Sequence, residues 1–236
     1  MFGVPRSIKI LNKINSFRSK DKNRNKYRVI ITPPYTLLEY FAKQFKNKRI
    51  TIGSQNCYQK DKFSSNTAAI SPYMIRSVGA KYTLVGHSDN RAEGDTDLML
   101  KNKVKFALTN NLKVVFCIGE NKKQKKNNQT FKVLKKQLVK VLEKKFNKSN
   151  IIVAYEPIWS IGTGKIPNQK DLLKTTIYIK KVLKNIFKKN SPAVLYGGSV
   201  DGNNIDMFKQ IKEIDGFLVG GASKSSKKFI DIIKNY

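Results

Sequence analysis

Seven short apolar runs, each three to five residues long, recur along the chain: Val29–Ile31, Ile50–Ile52, Tyr82–Val85, Val114–Ile118, Ile151–Ala154, Ala193–Tyr196 and Phe217–Val219. Uninterrupted apolar character over so few residues is what strands buried on both faces require. Between them lie patterns of helical spacing, at Thr36–Phe45, Asp97–Thr109, Phe131–Phe146, Leu172–Phe187 and Ile205–Ile211, with a last helix near Lys227–Ile233. Strict alternation of strand and helix specifies parallel βα units and an α/β fold. The chain opens on a helix, with Pro5 ahead of it, Ser7 as its cap, and Ile8, Leu11, Ile14 and Phe17 along one face. No G-x-G-x-x-G follows the first apolar run, as a dinucleotide-binding open sheet would show. A (β/α)₈ barrel needs eight strands, each followed by a helix, in about 250 residues. Seven runs behind a leading helix describe a single barrel domain over residues 1–236 that lacks its first strand. Such a barrel exposes two sheet edges.

In a barrel the reacting groups gather at the C-terminal ends of the strands. Gly86-His87-Ser88-Asp89 follows the third run, and Tyr155-Glu156-Pro157-Ile158-Trp159 follows the fifth. The last two runs lead into Gly197-Gly198-Ser199 and Gly220-Gly221-Ala222-Ser223. Glu156 can act as a general base, with apolar neighbours raising its pKa toward neutrality. His87 can polarise a carbonyl and, as the only histidine, leaves no second imidazole for a metal site or relay. The glycine turns can offer backbone N–H groups to a phosphate. Each of these residues alone reads equally as a salt bridge, a packed ring or a tight turn. Their conjunction at one face points to proton abstraction beside a carbonyl on a small phosphorylated substrate.

Charge sets the competing reading. Lys and Arg number 47 against 16 Asp and Glu, a formal charge of +31, which is the footprint of a nucleic-acid binder. The lysines are spread from Lys9 to Lys234, however, and the dense runs at Lys122–Lys126 and Lys132–Lys145 read as solvated helix faces. Incidental charge gives weak, steeply salt-dependent RNA binding without selectivity, so no specific nucleic-acid partner is expected. No apolar run approaches a membrane span, no secretory h-region opens the chain, and two cysteines make no disulfide framework. A cytoplasmic globular protein is expected.

The segments Gly86-His87-Ser88, Ala154 through Lys165, Tyr196-Gly197-Gly198-Ser199-Val200 and Leu218 through Ser223 resemble the triosephosphate isomerase family. Weaker similarity at Thr32–Tyr35, Gln55–Cys57 and Cys117–Glu120 extends the resemblance over essentially the whole chain. It implies a homodimeric glycolytic and gluconeogenic enzyme of the cytoplasm that interconverts D-glyceraldehyde 3-phosphate and dihydroxyacetone phosphate without metal or organic cofactor. It also implies Glu156 as proton shuttle, His87 as neutral electrophile, Pro157–Lys165 as a mobile lid, and Tyr196 and Ser199 as its latch. Gly162, Ser199, Gly220 and Gly221 would hold the substrate phosphate. The family's first strand and its Asn-x-Lys motif have no counterpart, since Met1-Phe2-Gly3 stands where the residues after that Lys fall. A start codon assigned at an internal Met is the expected reason, with a degenerate, non-catalytic relative as the alternative; the chain as written is expected to be a poor catalyst. Two smaller departures are Asp89-Asn90-Arg91, where the family shows Glu-Arg-Arg, and Thr67–Ser71, which lacks the acid of the family's third loop.

Overall fold

A computed structural model describes residues 3–188 and 190–236, so Met1 and Phe2 of the opening segment lie outside the described residues. The seven runs form one parallel sheet in sequence order: β1 (Val29–Ile31), β2 (Ile50–Ser54), β3 (Tyr82–Val85), β4 (Lys113–Ile118), β5 (Ile151–Tyr155), β6 (Ala193–Tyr196) and β7 (Gly216–Phe217). Every neighbouring pair is parallel, with Val29 beside Ile50, Tyr82 beside Lys113, Val114 beside Ile151 and Tyr196 beside Phe217. Parallel strands need crossover helices. The first half of the chain supplies α1 (Ile8–Lys20), α2 (Tyr35–Gln44), α3 (Pro72–Ser77), α4 (Ser88–Ala92) and α5 (Asp97–Thr109). The second half supplies α6 (Lys122–Lys126), α7 (Thr130–Val141), α8 (Gln169–Phe187), α9 (Ile205–Lys209) and α10 (Ser226–Lys234). Helix α1 packs against α10, so the first and last helices meet on the outside while, among the described residues, β1 and β7 pair only with β2 and β6. The sheet is a curled barrel open along one seam.

Side chains alternate across the sheet and build two cores. One set, including Val29, Ile50, Val85, Phe116, Val153 and Val194, packs outward against helix residues such as Phe41, Leu100, Leu138 and Ile179. The other set, Tyr82, Leu84, Val115, Cys117 and Ala154, fills the barrel interior with Ile30, Ile152, Leu195 and Leu218 against it.

Several local expectations shift. Ser7 does not cap α1; its hydroxyl accepts from the Val4 N–H and closes a preceding 3-10 turn. Helix α7 stops at Val141, because Leu142 turns extended and stays buried, and Glu143 is drawn to Lys101 and Lys145. The pattern over Phe131–Phe146 overran because lysines and apolar residues continue at helical spacing into the turn. The last strand is paired over two residues, since Leu218 and Val219 already lead into the glycine turn.

Candidate active site

The C-terminal strand ends open on a cavity of about 1600 Å³ whose wall includes His87, Glu156, Gly162, Ser199, Gly220 and Gly221. All six residues singled out in the sequence therefore face one space. Packing requires glycine at Gly197 and Gly198, whose Cβ would press on Glu156 and Tyr196, but not at the other three positions. A Cβ at Gly162, Gly220 or Gly221 would meet no protein atom within 4 Å. Gly162, at φ +68, also has a backbone reason to be glycine. At Gly220 and Gly221 the bare backbone is free for a ligand.

Glu156 leaves the end of β5 and is 4 % exposed. Its Oε1 lies 3.4 Å from His87 Nε2, while Oε2 is buried with no hydrogen-bond partner. Burial raises its pKa, against the opposing pull of His87. A buried carboxylate oxygen without a partner costs stability, and such groups cluster at functional sites, where the cost is carried for the chemistry. Beneath it the Cys117 thiol is pushed well above its usual pKa, first by burial and then by the neighbouring carboxylate, so it stays protonated.

His87 follows Gly86, whose φ of +78 turns the chain out of β3, and it stands at the N-terminus of α4. The Asp89 amide donates to His87 Nδ1 at 3.3 Å, which leaves the ring proton on Nε2, the nitrogen that faces Glu156. The Asp89 carboxylate also approaches Nδ1, at 3.5 Å, but is 81 % exposed and screened by water. Arg91 braces the loop from below, donating to Gly86 O and Cys117 O, with its guanidinium over the Phe116 ring.

The segment Pro157–Lys165 is tied to the site at its root. Ser160, fully buried, lies 3.2 Å from the Tyr196 hydroxyl, and its carbonyl accepts from Ser199 Oγ at 2.9 Å. Tyr196 and Ser199 thus meet the same residue. A second tie was not singled out in the sequence. Glu120, buried at the end of β4, accepts from Trp159 Nε1 at 2.8 Å and from the Tyr155 hydroxyl at 3.2 Å. Burial raises its pKa although both donors pull the other way. The available signal was a carboxylate directly after an apolar run, the same signature that marked Glu156.

A family model described as triosephosphate isomerase matches residues 5–236. The triosephosphate isomerase of Saccharomyces cerevisiae is 39% identical over 211 residues, covering 88% of this chain and 84% of that protein. That of Debaryomyces hansenii is 38% identical over 229 residues, covering 95% and 92%. Among solved structures, triosephosphate isomerase from Bartonella henselae superposes with a TM-score of 0.90 at 29% identity, covering 100% of this chain and 95% of that one.

Proposed function

Since this chain belongs to the triosephosphate isomerase family, we propose that Glu156 and His87 are the base and the electrophile with which it interconverts D-glyceraldehyde 3-phosphate and dihydroxyacetone phosphate. The observation that carries the assignment is the pairing of a buried carboxylate, one oxygen unpartnered, with His87 Nε2 at 3.4 Å in a shared cavity. Glu156, ionised, takes a proton from the carbon beside the carbonyl. Electrons from that C–H bond move into the carbonyl, and its oxygen takes up negative charge as an enediolate. His87 Nε2–H donates a hydrogen bond to that oxygen, the position at which a fixed donor does most for the transition state. The hydroxyl proton on the neighbouring oxygen passes to the former carbonyl oxygen, Glu156 returns its proton to the adjacent carbon, and the net reaction moves one hydrogen from carbon to carbon and one from oxygen to oxygen, which relocates the carbonyl.

The substrate phosphate is held by backbone N–H groups of Gly162, Ser199, Gly220 and Gly221, and the open space around the three glycines supports the assignment. Closure of Pro157–Lys165 excludes water and protects the enediolate from expelling phosphate. Acceleration comes from the chain's own groups, with no metal or organic cofactor.

The setting is a glycolytic and gluconeogenic one in the cytoplasm, supported by the family and by the absence, among the described residues, of any helix long and apolar enough to cross a membrane. A homodimer joined through the loop before α3 is part of the reading. Phe63 in that loop is 78 % exposed and stacks edge-on against Tyr73, leaving apolar surface for a second copy; sedimentation of the chain checks it.

The test of the site is steady-state isomerisation of D-glyceraldehyde 3-phosphate by the parent, Glu156→Gln and His87→Gln. Each substitution is expected to lower kcat by about 10²–10⁴-fold. A fully active Glu156→Gln sinks the mechanism.

A further inference from the structure

Alternate residues of a parallel strand direct their backbone N–H and C=O groups to opposite neighbours. Beyond the end of β4 that alternation continues. The Ile118 carbonyl accepts from the Glu156 N–H at 2.7 Å, and the Glu120 carbonyl accepts from the Ile158 N–H at 3.0 Å. Gly119, between them, turns its own N–H and C=O away from β5. The neighbour on that side, β3, ends at Val85 opposite Phe116, so among the described residues no strand faces Gly119. A peptide group left without partners inside a protein is costly.

The partner comes from a helix instead. Gln137 Oε1 accepts from the Gly119 N–H at 2.9 Å, and Gln137 Nε2 donates to the Gly119 carbonyl at 3.0 Å. A primary amide carries the donor and the acceptor of a peptide group, so this side chain stands in for one residue of a neighbouring strand. Helix α7 sets its height. Leu134, Leu138 and Val141 bury one face, Lys135, Lys136 and Lys140 are exposed on the other, and Gln137 is half-buried between them.

The clamped peptide touches the base. A Cβ at Gly119 would fall 1.8 Å from the Glu156 carbonyl oxygen, so the two main chains are in direct contact and only glycine fits. The next residue, Glu120, holds Trp159 at the root of Pro157–Lys165. Gln137 does not line the cavity, so it reaches the chemistry only through Gly119.

We propose that Gln137 is a positioning residue for isomerisation: its amide clamps the Gly119 peptide and thereby fixes the main chain from which Glu156 projects. The inference rests on Glu156 as the base. A displacement of about 1 Å costs on the order of 10²-fold in rate, so a fraction of that shift corresponds to about tenfold.

The test compares the whole chain with Gln137→Met, which keeps the volume and removes both hydrogen bonds. Steady-state isomerisation is read beside the emission of Trp159, the only tryptophan, which reports on the Glu120 tie whether or not the chain turns over. With an unchanged fold by circular dichroism, kcat should fall by about tenfold or more with KM within about threefold. Emission should shift to longer wavelength as the indole gains water. Gln137→Glu sets a carboxylate against the Gly119 carbonyl and is expected to show the same losses; it carries the test if the methionine variant does not fold. Lys136→Met, one residue away on the exposed face, should match the parent in both readouts. A folded Gln137→Met with parental kcat overturns the proposal, whether its emission shifts or not. So does a rise in KM at parental kcat, which places the effect on substrate binding, or an equal loss in Lys136→Met. A parent without isomerase activity would count against Glu156 as the base, and unshifted emission in both Gln137 variants would then overturn the clamp separately.

Discussion

Gly197→Ala tests the position of the base without touching the base. Gly197 follows β6 and has an ordinary negative φ, so alanine strains no backbone there. Its Cβ, however, would stand 2.7 Å from Glu156 Cγ and 3.4 Å from Leu218 Cβ. Ordinary carbon–carbon contact begins near 3.5 Å, so the carboxylate stem has to retreat by ~0.8 Å. Glu156 is 4 % exposed and walled by Cys117 and His87, which leaves it no neutral direction to move in. A misplacement of about 1 Å costs on the order of 10²-fold in rate, close to 3 kcal/mol of transition-state stabilisation. Coupled assay of triose phosphate isomerisation should therefore show kcat down by about 10² with KM within a few-fold. Circular dichroism should show an unchanged fold. A folded Gly197→Ala with kcat within about threefold of the parent would refute the reasoning, since it would mean that catalysis tolerates a displacement of this size.

Three further outcomes follow from the same geometry. Burial raises the pKa of Glu156 in the folded state, so its contribution to stability is fully present below the unfolded value and is lost as pH rises through the folded one; Glu156→Gln should raise Tm at neutral pH and lose that advantage below pH 4.5, while the acid limb of kcat/KM in the parent lies above the ordinary carboxylate range. Lys103 and Asp95 form a buried pair at 2.7 Å, also touching Asn56, and Lys103→Ala strands a carboxylate that is 7 % exposed. Thermal melts should show a loss of about 3–5 kcal/mol, roughly 10 °C for a chain of this size, largely recovered by apolar replacement of both partners. Tyr196→Phe removes the contact to Ser160, and one lost hydrogen bond corresponds to about tenfold; kcat should fall by that order while phosphate released per turnover rises, and unchanged partitioning would contradict the latch.

The residues that could be read in advance are those whose role follows from position along the strand pattern. Glu156 and His87 stand directly behind apolar runs, and the repeat of strand and helix alone says that such positions share a face. Seven strands in sequence order and an unpaired seam follow from the same count. Residues defined by three-dimensional closure were less legible. Lys103, Asp95 and Arg91 look like surface charges in a lysine-rich chain, and only the folded packing buries them between loops and strands distant in sequence. Glu120 carried the right signature, but its partners Tyr155 and Trp159 lie 35 and 39 residues away. The end of α7 was hidden because Leu142 continues the helical spacing of apolar residues while its backbone leaves the helix to reach β5. Ser7 has the residue type of a cap, yet the Val4 amide claims its hydroxyl.

The central claim is that one carboxylate, Glu156, carries the hydrogen between the two carbons. Conversion of D-glyceraldehyde 3-phosphate in deuterated water, followed by proton NMR of the product, tests it most directly. A proton held on Glu156 exchanges with solvent before it is returned, so the account predicts product carrying at most one deuterium, at the carbon that receives the proton, and loss of both turnover and labelling in Glu156→Gln. Turnover that deposits the same deuterium in Glu156→Gln at the parent's rate would contradict it.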